Sequence, residues 1–144
     1  MSMELATVTG EEILQAVRAK HPLSLGLRLH PERAAVFQRY GKPEAVAALI
    51  RGGMNEVFFE NRQMCMTERF LLEKDDPDSL LLFKDIHKAY PMKFGEKEYL
   101  MAEDEAGAKY RYSFAVGQKQ VFKISILLDK IRKAAPHCHV KDRV

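Results

Sequence analysis

The sequence predicts a single α+β domain: a mainly helical N-terminal half with one short strand, then a C-terminal antiparallel meander of three strands and a final helix. Three observations predict it. Apolar residues recur at helical spacing around Ile13–Val17 and again over 80–86, four leucines alternate over 23–29, and after Glu98 aromatic and aliphatic runs are punctuated by glycine turns. At 144 residues and 47% hydrophobic, the chain fits one domain, placed at residues 1–136 with 137–144 as a flexible tail. A domain of that size buries about 70% of its unfolded surface and folds without metal or disulfide staples.

Each element has a local reason. Thr9 and Glu12 have the capping-box spacing, which starts a helix running to about Lys20; His21-Pro22 stops it, because the residue before proline is pushed out of the helical region. Leu23, Leu25, Leu27 and Leu29 alternate with Ser24, Gly26, Arg28 and His30, the period of two that sends four leucines to one face of a strand. Pro31-Glu32 opens a second helix, closed by Gly41 as its left-handed terminal residue, and Pro43-Glu44 opens a third. Gly52-Gly53 leaves two continuations open: a helix through to Phe58, or a hairpin over 56–72 turning near Asn61-Arg62-Gln63.

Asp75-Asp76-Pro77 predicts a helix cap for a segment to about Ala89 with Leu80, Leu81, Phe83 and Ile86 inward, ended by Tyr90-Pro91. Strands follow over 99–102, 110–116 and 121–127, and a last helix over 126–134 ends before Pro136.

Charge is unevenly distributed. Residues 17–62 hold eight Lys/Arg against four Glu, 109–144 hold nine against two Asp, and 71–108 hold ten Asp/Glu against five Lys. A molecule with positive and negative faces suits a polyanion or a charged protein partner. No apolar run approaches the roughly 20 residues of a membrane span, and Met1–Thr7 lacks the regions of a signal peptide, so a cytoplasmic protein with no membrane partner is expected. Cys65 and Cys138 stand in unrelated contexts and read as free thiols. His137-Cys138-His139 lacks a second ligand pair, and no phosphate loop or nucleophile elbow is present, so neither cofactor nor metal nor catalytic residue is assigned.

Residues 23–58 resemble the ribbon-helix-helix family of DNA-binding proteins, on Leu25-Gly26-Leu27-Arg28-Leu29, the helix opening at Pro31-Glu32, and Ala48-Leu49-Ile50-Arg51. The resemblance covers about a quarter of the chain. It implies a homodimer whose paired strands enter the major groove, with Ser24 and Arg28 facing the bases, His30 at the strand's end, and Lys42 and Arg51 at backbone phosphates. Lys109 and Arg111 on the later basic strand add a phosphate-binding rim, while Tyr110, Tyr112 and Phe114 share one face, either an exposed stacking platform for unpaired bases or, the reading preferred, the buried side of a sheet. The function expected is therefore non-enzymatic nucleic-acid binding or regulation, in a bacterium, plasmid or phage. Two alternatives stand beside it: a protein–protein interaction module or inhibitor docking through its charged faces, and a small metal-independent ribonuclease-like toxin.

Overall fold

The computed structural model describes residues 7–22 and 25–142. Five α-helices and eight strands lie among them, and they form three layers. Helices α1 (Gly10–Lys20), α2 (Leu25–Leu29), α3 (Ala35–Tyr40) and α4 (Pro43–Gly53) come first. Strands β1 (Val57–Glu60), β2 (Met64–Thr67), β3 (Phe70–Glu73) and β4 (Asp76–Leu82) then form an antiparallel sheet in the order β1-β2-β3-β4. Strands β5 (Ile86–Phe94), β6 (Lys97–Asp104) and β7 (Lys109–Ala115), helix α5 (Ile124–Ala134) and strand β8 (His139–Val140) complete the chain. The second sheet runs β7-β6-β5-β8, with β8 parallel to β5.

The first sheet is the middle layer and is buried on both faces. Met64, Met66, Leu71 and Leu81 point into a core shared with the second sheet and with Leu127, Leu128 and Ile131 of α5. Their neighbours Cys65, Phe70, Leu72 and Leu80 point the other way, into a core with Ile13 and Val17 of α1, Val36 and Phe37 of α3, and Val46 and Ile50 of α4. Fully burying each large apolar side chain contributes about 1.5–3 kcal/mol before entropy is charged.

This two-sided burial corrects the expected fold. The helix expected from Asp75-Asp76-Pro77 to Ala89 is instead β4, a 3-10 turn at Phe83–Asp85 and the start of β5. Leu80 and Leu81 serve opposite cores, so the run loses the alternation that marks a half-exposed strand and mimics a helix stripe. The fold is α+β, but eight strands in two sheets replace the mainly helical half and the three-stranded meander.

The strand expected over 23–29 is also corrected. Leu25–Leu29 is a short helix whose chain closes with the His30 amide on the Gly26 carbonyl at 2.8 Å, and Ser24 lies outside the described residues. A strand requires a ladder partner, whereas one helical turn satisfies backbone groups locally. Leu25 and Leu29 remain exposed.

Beyond Gly53 the hairpin continuation is the one adopted. A Cβ at Gly53 would overlap the Phe70 ring, so α4 ends against β3 with a glycine at the contact. Asn61 then turns β1 into β2, its side-chain oxygen accepting from the Gln63 and Met64 amides, each at 2.8 Å. Of the expected capping box of α1 the Thr9 half forms, with the Glu12 amide donating to Thr9 Oγ1 at 3.2 Å. The helix expected from Pro31 is split into a 3-10 turn, Pro31–Arg33, and α3, which Gly41 terminates at φ 102°.

β6 contains the strand expected over 99–102 and β7 the one expected over 110–116 as far as Ala115, while the third, over 121–127, gives way to irregular chain and the first turn of α5. Residues 137–142, expected as a flexible tail, contribute β8, which pairs His139 with Lys88 and Val140 with Ala89. No helix among the described residues is long and apolar enough to cross a membrane.

Candidate functional site: a two-signed cleft between sheet edges

β4 and β7 are each the last strand of their sheet, and the two edges face one another across a cleft of about 980 Å3. α1 and α3 wall one side. Lys20, Arg39, Lys109 and Arg111 line the cleft with Glu73, Asp75, Asp76, Asp78 and Asp104, so the site carries both signs with carboxylates in slight excess.

The β4 edge is closed by side chains. Arg39, in the last turn of α3, donates through Nη2 to the Asp78 and Leu80 carbonyls, both at 2.8 Å. Its guanidinium lies 5.3 Å from the Tyr40 ring centre and 5.2 Å from that of Tyr110, while Nε is the one buried side-chain polar atom without a hydrogen-bond partner among the described residues. Tyr40 adds a further closure: its hydroxyl accepts from the Leu82 amide at 3.0 Å and donates to Asp85 Oδ2 at 2.9 Å. Ala34 offers α3 no capping side chain, and Asp78 supplies the function from β4, accepting the Val36 amide at 3.0 Å. The same carboxylate meets His21 Nε2 at 3.0 Å, and Lys20 pairs with Asp76 at 2.8 Å.

Two β7 tyrosines turn inward. Tyr112 is fully buried and donates to the Ser79 carbonyl at 2.6 Å; Tyr110 donates to Asp104 Oδ2 at 2.9 Å. Burial, first of all, pushes the Tyr40 and Tyr110 hydroxyls up to about 12, further from ionisation than an ordinary tyrosine. Glu73 spans the two sheets, accepting the Ser113 amide at 2.9 Å through Oε1 and the Ser113 hydroxyl through Oε2. Burial lifts its carboxyl above the ordinary Glu value, and the two Ser113 bonds partly oppose that rise. With both oxygens engaged and Ser113 itself buried, the pair is a clamp between sheets.

Of the residues expected at a nucleic-acid site, Lys109 and Arg111 alone line this cleft. Both are exposed, and Arg111 lies 4.7 Å over the Tyr99 ring. Arg28 is exposed on α2, His30 follows it 3.5 Å from Glu32, Lys42 is the exposed N-cap of α4, and Arg51 donates to the Val8 carbonyl. These four do not converge on the cleft, and Ser24 lies outside the described residues. Tyr110, Tyr112 and Phe114 belong to the inner core, as the buried-sheet reading of their alternation has it. No group of three metal-binding side chains occurs among the described residues.

Arg39, Glu73, Asp76 and Asp78 were not marked as site residues by the sequence. The acidic block was visible, but Asp75-Asp76-Pro77 reads locally as a helix cap, and nothing near Arg39 distinguishes it from other helix-surface arginines. No family model, curated protein or solved structure matches the chain.

Proposed function

We propose that this protein is a non-enzymatic interaction module that binds a segment of another protein in the cleft between β4 and β7. The observation that carries the reading is the cleft's lining: Lys109 and Arg111 on one edge, and Asp75, Asp76 and Asp78 on the wall opposite. A polypeptide carries charges of both signs and fits such a lining. A nucleic-acid backbone, with a single sign, meets five carboxylates there and finds Arg28, Lys42 and Arg51 on other elements. The chemistry also favours binding over turnover, since Asp76 and Asp78 share Lys20, Asp104 accepts from the Tyr110 hydroxyl and Glu73 is held by the Ser113 clamp, which leaves Asp75 as the one cleft acid without such a partner among the described residues.

Selection from a random peptide display library against the full chain tests this, run beside fluorescence anisotropy of a labelled DNA duplex over a salt series. The expected result is an enriched peptide family whose binding needs Lys109 and Arg111, with no duplex binding. Absence of any enriched family, or duplex binding with a steep log-linear salt dependence, would overturn it.

A further inference from the structure

Register and hydrogen bonding define which backbone groups of β7 are free. In an antiparallel pair, opposed residues alternate between exchanging both main-chain bonds and pointing both outward. The Asp104 amide bonds to the Ala108 carbonyl at 3.1 Å, so the alternation makes the 102/110 and 100/112 pairs the bonded ones. Glu103↔Lys109, Met101↔Arg111 and Tyr99↔Ser113 are then the outward-pointing pairs.

Ser113 confirms the phase, because its amide leaves the sheet for Glu73 at 2.9 Å and its carbonyl accepts from Asn61 Nδ2 at 3.0 Å. Lys109 and Arg111, in the same phase, have no such side-chain caps among the described residues. The strand edge is thus closed from Ser113 onward and open at Lys109–Arg111, where it borders the cleft. Across the cleft, β4 is closed by Arg39 and Tyr40.

Building on the interaction-module reading, we infer that an extended partner segment pairs with β7 at Lys109–Arg111 as an added strand of the second sheet, and that it carries alternating acidic and basic side chains. Lys109 and Arg111 are two residues apart, hence on one face, and favour carboxylates at the positions beside them on the added strand. The segment's other face meets the wall where Asp76 and Asp78 share Lys20 and Asp75 has no ion-pair partner among the described residues, and that remaining carboxylate favours a base. A second copy of β7 is a poor occupant, since Lys109 and Arg111 would meet their own like charges. Main-chain bonds supply affinity in this mode, and alternate side chains supply selectivity.

The probe is a synthetic decapeptide alternating Glu and Lys, made also in two N-methylated forms, each blocking one alternate set of amides. Titration into the full chain is followed by calorimetry and by amide hydrogen exchange. One N-methylated form is expected to lose binding about tenfold or more, the effect of removing one or two main-chain bonds, while the other binds like the parent. The Arg111 amide becomes protected from exchange in the parent complex. Equal binding by all three peptides overturns strand addition and leaves cleft binding by side chains intact. Failure of the alternating peptide while display-selected peptides bind overturns the charge pattern, and failure of every peptide overturns the interaction reading itself.

Discussion

Glu73 of β3 and Ser113 of β7 join the two sheets through one carboxylate, which takes both the amide and the hydroxyl of the serine. A backbone donor at a sheet edge is thereby satisfied by a side chain from the opposing sheet. The bond costs desolvation, because the charged form is held in a partly buried place, and the carboxyl's affinity for its proton rises accordingly.

This sets a pH dependence. Below the ordinary Glu range both folded and unfolded chains hold the proton. As pH rises through that range the unfolded chain releases it first, so the Glu73 contribution to stability falls until the folded carboxyl ionises too. Glu73→Gln keeps an acceptor for the Ser113 amide and removes the charge, so its melting temperature should gain on the parent's between pH 4 and pH 7. Parallel melting curves at both ends of that window would contradict the assignment. Glu73→Ala, leaving the Ser113 amide unpaired, should cost about 1–3 kcal/mol at pH 4 and less at pH 7, as the parent loses the Glu73 contribution.

The adjacent glycines of α4 should respond with opposite signs. A Cβ on Gly52 meets open space, and Gly52→Ala should stabilise by up to about 1 kcal/mol through helix propensity. A Cβ on Gly53 strikes the Phe70 ring, and Gly53→Ala should destabilise by about 1–3 kcal/mol from overpacking. Urea midpoints of the two variants decide it; a shift in the same direction for both would mean that α4 and β3 are not in contact as described.

Thiol reactivity should separate by layer. Burial pushes the Cys65 thiol up to about 12 and the Cys138 thiol up to about 11, so both should react slowly with a disulfide reagent at neutral pH. Cys65 lies inside the middle sheet, so its labelling should track global unfolding. Cys138, beside the two-residue β8, should become reactive at lower denaturant, when that strand frays. Simultaneous labelling of the two would place β8 in the main cooperative unit.

Charge reversal at the cleft should act on binding alone. Lys109 and Arg111 are exposed, and the Arg111 contact with Tyr99 accounts for about 0.5–1 kcal/mol. The double variant K109E/R111E should keep the parent's circular dichroism spectrum and lose the peptides selected by the parent. Retained peptide binding would move the interface away from β7.

Local chemistry was legible in the sequence. Thr9 starts α1, Gly41 ends α3, and the alternation of Tyr110, Tyr112 and Phe114 fits β7 and its buried face, while the hairpin at Asn61 was one of two continuations the sequence left open. Each depends on groups within a few residues of one another, so the chain carries the instruction in place. Tertiary structure decided the rest. Leu80 and Leu81 form a strand because a core waits on either side of the first sheet, and two-sided burial erases the period that would announce it. Leu25, Leu27 and Leu29 turn into a helix because no strand lies beside them to complete a ladder. The cleft is the most remote from the sequence: it brings Lys20, Arg39, Asp78 and Arg111 together only after helices and two sheet edges have packed.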